Sequence, residues 1–272
     1  MAEEGCGDAL TDQDCAREPG AAMFGTALEL TAANPEILRV REVAFAALHL
    51  EPGQRVLDAG AGAGEAARLI AGRLGGLGEV VAIDRSDATL AAARERHDGS
   101  PVEYRHGDVT AMDFPDGHFD AVRCERVLQY LAEPDAAVAE LARVTRPGGR
   151  VCLVDTDWES VAVDGLPAHL VAAVRRHLLA TVLQRHLDMG RTLRRRLVRA
   201  GLHDVTAVPV ALYFADPIAA ATVLPMVNPM VPPETRLIPA EVREDWFGAL
   251  SEAGERGDFL ATITMWVATA TR

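Results

Sequence analysis

Short apolar runs alternate with segments of helical period through the first half of the chain. Val56-Leu57-Asp58 predicts a strand over 55–58, and apolar positions from about 64 to 74 recur at three and four residues, as on one face of a helix. Gly75-Gly76 stops that helix. Glu79 to Ile83 reads as a second strand, and Ser86 as the cap of a helix reaching about Arg96. Further strands fall near 102–105, 119–123 and 150–155, and Pro134 opens a helix that runs to Val144. Ahead of them all, Asn34-Pro35-Glu36 supplies an N-cap, a first-turn proline and a first-turn acid for a helix to about Leu48. Strands alternating with helices in this way predict a parallel sheet covered by helices.

The pattern loosens after the fifth strand. Leu166 to Leu187 reads as one long amphipathic helix, Thr192 to Ala200 as a second closed by Gly201, and Val205 to Phe214 as a sixth strand. Asp216 to Pro239 carries Pro217, Pro225, Pro229, Pro232 and Pro233 and is too broken for one helix. Glu241 to Ala253 is helical again, and Phe259 to Ala268 forms the last strand. Residues 1–19 are acidic and turn-rich and are expected to form a flexible tail. Residues 20–272 read as one domain, with a core over about 35–160 and substrate cap or lid elements over about 160–200 and 216–253.

The junction between the first strand and its helix is the richest in chemistry. Asp58-Ala59-Gly60-Ala61-Gly62-Ala63-Gly64 is a glycine-rich turn of the kind that brings backbone close to a cofactor. A dinucleotide fingerprint asks for its third glycine where Glu65 stands. A carboxylate there suits a pyrophosphate poorly and tolerates a cationic sulfonium. Asp84, ending the second strand, suits a ribose hydroxyl in either case. Gly107-Asp108-Val109 closes the third strand, and Arg146-Pro147-Gly148-Gly149 leads into the fifth.

This ordered set resembles the class I S-adenosylmethionine-dependent methyltransferases, particularly the small-molecule group of ubiquinone and menaquinone methyltransferases, over about residues 35–160. The resemblance implies an α/β fold: a doubly wound, Rossmann-like seven-stranded sheet with helical cap and lid insertions. It implies S-adenosyl-L-methionine as cofactor. Asp58 and the backbone of Gly60, Ala61 and Gly62 would hold its methionine part, with Arg123 and Cys124 lining that end. Asp84 would bind the ribose, Arg85 would flank the adenine, and Asp108 with the Val109 amide would bind the adenine edge.

Composition narrows the partners. A net charge of −13 and a pI near 5.1 repel phosphate backbones, so no nucleic acid is expected. The run Arg194-Arg195-Arg196 reads as a solvated helix face. All 27 Lys-or-Arg positions are arginine, which with abundant alanine and glycine points to a GC-rich bacterial genome. Cys6, Cys15, Cys124 and Cys152 make no C-x-x-C pair, and no metal is expected. The absence of a long apolar run and of a signal-peptide pattern leads to the expectation of a cytoplasmic protein with no membrane span. The apolar helices after residue 166 suit a pocket and a homodimer equally.

Methyl transfer from a sulfonium is an in-line displacement from an already activated donor. The protein chiefly aligns the acceptor and excludes water, and a base is needed only where the acceptor must lose a proton. Tyr130 stands where family members often carry histidine, and is a candidate to orient the acceptor or face the sulfonium. Asp157 is a candidate base; Glu125 is a candidate base or, more simply, an ion-pair partner of a nearby arginine. Trp158 is a candidate wall for an aromatic acceptor, and His169, His177 and His186 share the helix after the fifth strand. Leu224, Met226, Val227, Met230 and Trp246 offer an apolar cap surface. The expected substrate is therefore a hydrophobic small molecule, methylated on oxygen or carbon in bacterial specialised-metabolite (natural product) biosynthesis. The open alternative is a cyclase of the same fold that binds the cofactor without transferring methyl.

Overall fold

The computed structural model describes residues 30–96, 98–180, 186–235 and 237–272; the tail expected over 1–19 lies outside them. Helix α1 (Pro35–Leu48) starts where its cap predicts, with the Asn34 side chain accepting from the Glu36 amide at 2.9 Å. There follow β1 (Arg55–Ala59), α2 (Glu65–Arg73), β2 (Glu79–Asp84), α3 (Asp87–Glu95), β3 (Val102–His106), β4 (Phe119–Glu125) and α4 (Pro134–Val144). After them come β5 (Thr145–Asp164), α5 (Ala168–Ala180), α6 (Met189–Arg199), β6 (His203–Phe214), α7 (Pro217–Ala221), α8 (Arg243–Arg256) and β7 (Leu260–Thr271). The seven strands form one sheet in the order β3-β2-β1-β4-β5-β7-β6. Strands β1 to β5 pair in parallel, and β7 runs antiparallel to both β5 and β6.

Both faces of the sheet are covered, which is why β1 and β4 read as near-continuous apolar runs. Alternate strand residues point to opposite faces. Val56, Ala121, Cys152 and Val154 pack with α1, α2, α7 and α8. Leu57, Val122, Val151 and Leu153 pack with α4 and α6.

Two elements differ from the sequence pattern. Strand β5 is far longer than 150–155, because β7 pairs with it from Arg150↔Thr271 out to Asp164↔Leu260, with an irregularity between Asp157 and Ala162. The helix expected to reach Leu187 is described only to Ala180; 181–185 lie outside the described residues. His186 is not helical: its amide donates to Gln129 O at 3.1 Å, and its ring meets Leu131 O at 3.0 Å.

The long β5–β7 ladder also changes the cap. Residues 216–259 lie at the carboxyl end of β5, as α7, short 3-10 turns and α8. Leu224, Met226, Val227 and Trp246 are buried in the α1 side of the core, and the Trp246 indole donates to Met226 O at 2.7 Å. The cap therefore spends its apolar side chains on packing rather than presenting them to a ligand. Of the five expected surface residues, Met230 alone is exposed.

At the β6 edge of the sheet, two side chains of α1 meet outward-facing backbone. Glu36 accepts from the Tyr213 amide at 3.1 Å, and Arg39 donates to Ala211 O. Pro209, two residues earlier on the same side, has no N–H.

Candidate active site

The turn after β1 is drawn tight by its own backbone. The Gly60 and Ala61 amides both donate to Ile83 O, at 2.8 and 2.9 Å, and the Gly62 amide donates to Asp84 Oδ2 at 2.9 Å. Gly60 and Gly64 take φ of +74° and +80°. A Cβ would lie 2.2 Å from Val127 Cγ2 at Gly60 and 2.6 Å from the Tyr104 ring at Gly64. Left-handed backbone and close approach thus both require glycine at these positions. Gly62 is different: a Cβ there would meet nothing within 4 Å, so the turn opens onto space.

The polarity of this turn is informative. The amides of Gly60, Ala61 and Gly62 are spent inside the fold, whereas the carbonyls of Gly60 and Gly62 accept no hydrogen bond among the described residues. A phosphate needs free N–H groups. Spare carbonyls suit an ammonium or sulfonium. Glu65 already supplies an anion to the first turn of α2, where it faces Arg68 at 3.8 Å.

Asp84 is half-buried at the end of β2. Its second oxygen accepts from the Ser86 amide at 3.0 Å, so both sides of the carboxylate are fixed by backbone. Asp108 is exposed beyond β3, where one oxygen takes the Thr110 amide at 2.8 Å and the Thr110 hydroxyl at 2.7 Å. Those bonds, hydroxyl first, hold its carboxyl below the usual range. Arg85 is exposed, and its charge acts on Asp108 in the same direction; Val109 is buried.

Three more of the expected cofactor residues are buried. Asp58, Arg123 and Cys124 are enclosed at 0%, 2% and 1% exposure. Arg123 is drawn onto Asp58 at 2.7 Å and onto Glu125, and Glu125 reaches Arg41 of α1 at 3.1 Å. The Arg123 guanidinium also lies over the Phe45 ring at 5.7 Å. Cys124 points to the other face, where burial pushes its thiol well up. Among the described residues, Asp58 Oδ2, Arg123 Nε and Arg41 Nη1 of this buried charge chain have no hydrogen-bond partner.

This chain settles the chemistry of Glu125. Burial alone raises a carboxyl, but the Arg123 and Arg41 guanidiniums outweigh it and hold Glu125 down at about 2. A clamped, permanently ionised carboxylate is a poor proton acceptor, so Glu125 is corrected from candidate base to ion-pair partner.

Strand β4 ends at Glu125, and Arg126 takes φ of +53°, an uncommon conformation for a residue with a side chain. The chain then forms a 3-10 turn over Leu128–Tyr130, and Tyr130 is 44% exposed. Asp157 is 5% exposed and faces Arg191 at 3.4 Å. Burial raises its pKa and Arg191 opposes the rise. Trp158 is buried, with its indole donating to Gln129 Oε1 at 2.8 Å.

Sequence reasoning missed Arg41, whose partner lies 84 residues away, and Asp155, an acid inside the predicted fifth strand. The signal for Asp155 was its charge within an apolar run. A polar cleft lined by Arg55, Glu79 and Asp120 lies at the opposite, amino ends of the strands. Among the described residues no cluster of metal-ligating side chains occurs, and no helix is long and apolar enough to cross a membrane.

Residues 57–153 match the family model described as a methyltransferase domain. Over 172 residues the chain is 31% identical to the ubiquinone/menaquinone biosynthesis C-methyltransferase of Pseudomonas putida, covering 57% of this chain and 67% of that protein. It is 33% identical over 232 residues to a 37.1 kDa protein in a transposon of Streptomyces fradiae, covering 85% of this chain and 66% of that one. It spans only 47% of a 2-phytyl-1,4-naphtoquinone methyltransferase of Synechococcus elongatus, at 35% identity over 39% of this chain. Among solved structures, phosphoethanolamine N-methyltransferase 2 of Haemonchus contortus superposes with a TM-score of 0.63 at 20% identity, over 97% of this chain and 60% of that one. A [4+2]-cyclase superposes with a TM-score of 0.59 at 21% identity, over 97% of both chains. The fold and the turn define a cofactor-binding α/β enzyme domain of the Rossmann-like type. The chain belongs to the class I S-adenosylmethionine-dependent methyltransferases.

Proposed function

We propose that this chain transfers the methyl group of S-adenosylmethionine to an oxygen or carbon of a hydrophobic small molecule. The observation that carries the reading is the polarity of the glycine turn: spent amides, spare carbonyls and open space above Gly62. When bound, the cofactor supplies a methyl group activated on a sulfonium. The Gly60 and Gly62 carbonyls would take its ammonium, and Asp58 would act on that charge from below. Asp84 would take the ribose hydroxyls, and Asp108 with the Val109 amide the adenine edge, flanked by Arg85. Arg123 serves by holding Asp58 and Glu125 in place.

Alignment rather than proton removal is the main task left to the protein. Tyr130 is the exposed candidate at the acceptor side and would orient the substrate. Asp157 would serve as base only after Arg191 moves aside. A hydrophobic acceptor is favoured by the quinone-methylating relatives. A role in bacterial specialised metabolism, in the cytoplasm, draws on the arginine-only composition and the Streptomyces fradiae relative.

The [4+2]-cyclase neighbour favours a second reading, in which the cofactor stays intact and its charge shapes a pocket for ring closure. One experiment separates the two. S-adenosylmethionine labelled on its methyl group is incubated with the protein, demethylmenaquinone and small-molecule extracts of GC-rich bacteria, and the label is followed by mass spectrometry. Label in a small-molecule product supports methyl transfer. Cofactor binding with a rearranged but unlabelled product overturns it in favour of the cyclase.

A further inference from the structure

A second buried acid sits at the carboxyl end of the sheet, unused by the methyl-transfer reading. Asp155 is fully enclosed and shares a strand face with Leu153 and Val151. One oxygen accepts from the Thr156 amide at 2.9 Å, and the other from the Gln129 amide at 3.2 Å.

Gln129 is itself 1% exposed and is a crossing point. Its side-chain oxygen takes the Trp158 indole at 2.8 Å, and its carbonyl takes the His186 amide at 3.1 Å. The Trp158 amide donates to Leu187 O at 2.8 Å, and the His186 ring meets Leu131 O at 3.0 Å. Three segments are tied here: the turn after β4, the end of β5, and the connection into α6. Tyr130 is the residue next to Gln129.

We infer that Asp155 is a positioning residue: by holding the Gln129 amide it fixes the turn that sets Tyr130 at the acceptor side, an assignment that rests on the functional reading above. Asp155 is fully enclosed and reaches the turn after β4 through the Gln129 amide. Among the described residues no arginine forms an ion pair with it. The charged and titratable groups facing it are Glu125 and Arg126 at the end of β4 and the Cys124 thiol, with His186 two bonds away through Gln129. Burial pushes its carboxyl up to about 7 against the pull of the two amides. An ionised carboxylate accepts more strongly than a neutral acid, so the hold on Gln129 tightens as Asp155 ionises.

The test is a pH titration of the whole chain by nitrogen-15 NMR, with the Trp158 indole signal assigned by Trp158→Phe. In the wild type the Trp158 indole and Tyr130 amide signals should move together with a midpoint near 7. The movement should persist in His186→Gln and vanish in Asp155→Asn. Its absence in the wild type, its persistence in Asp155→Asn or its loss in His186→Gln overturns the assignment. Should Asp155→Asn not fold, carboxyl carbon-13 titration of aspartate-labelled wild type and Asp157→Asn decides: an aspartate with the same midpoint in both supports the inference, and its absence from either refutes it. Calorimetry with S-adenosylhomocysteine keeps the two readings apart. Asp155→Asn should leave that affinity within about twofold, as for a site not in contact with the ligand. No binding by the wild type would sink the cofactor reading, whereas binding with a pH-independent Trp158 signal would sink the Asp155 role alone.

Discussion

Glu125 and Asp155 are buried carboxyls on neighbouring strands, close to the same strand ends, and they behave in opposite ways. Glu125 faces α1, meets two guanidiniums and is held at about 2. Asp155 faces the side of α6, is hydrogen-bonded among the described residues by backbone amides rather than guanidiniums, and is pushed to about 7. Burial acts upward on both. The difference lies in which face of the sheet received arginines, and the strand alternation decides that with a step of one residue.

The comparison breaks hardest at Arg123. Arg123→Met leaves Asp58 and Glu125 buried without their shared cation, and should cost about 3–5 kcal/mol of unfolding free energy in urea titrations. A loss under about 1 kcal/mol would mean that the charge chain is not a unit.

The next test is acid and base. Glu125 has a lowered pKa, so its contribution is present above its ordinary 4.5 and is lost as pH falls toward about 2. Asp155 has a raised pKa, so its contribution is present below its ordinary 3.8 and is lost as pH rises toward about 7. Asp155→Asn should therefore gain on the wild type, by on the order of 1–3 kcal/mol, when denaturation is moved from pH 4 to pH 8. Glu125→Gln should instead flatten the acid limb below pH 4.5.

A carboxylate at the ligand surface should separate binding from stability. Asp84→Ala should weaken S-adenosylhomocysteine binding by about tenfold or more while shifting stability by only about 1 kcal/mol, the scale of its lost backbone bonds. The smallest effect belongs to Arg191, which is partly exposed. Arg191→Ala should cost only about 0–1 kcal/mol. It should also raise the Asp157 pKa further, which carboxyl NMR would report.

The glycine turn, Asp84 and the order of the first five strands were legible because each is local: a short apolar run, a cap, a left-handed glycine. Gly64, one position earlier than a dinucleotide fingerprint requires, is explained by the Tyr104 ring seated against it. What stayed hidden is what only tertiary closure creates. The fate of Glu125 depends on Arg41 in a helix 84 residues away. Trp158 and the cap residues looked like ligand walls because an apolar side chain carries no mark of whether it will face a pocket or a neighbouring helix. The length of β5 depends on β7, about a hundred residues later, and that ladder gave residues of the segment before β7 a surface to pack on.

The α1 side chains at the β6 edge bear on how copies of this chain can associate. An open strand normally templates the addition of another, and proteins left with such an edge aggregate or fuse their sheets. Here the carbonyl of Ala211 and the amide of Tyr213 are taken by Arg39 and Glu36, and Pro209 has no N–H to donate. At the other edge, β3 shows the charges of Glu103 and Arg105 to solvent. Pairing of a further strand is thus opposed at 209–213, where three of the outward backbone groups are taken or missing. Removing the two α1 side chains would turn the same stretch into an adhesive strip, recognisable by light scattering on storage.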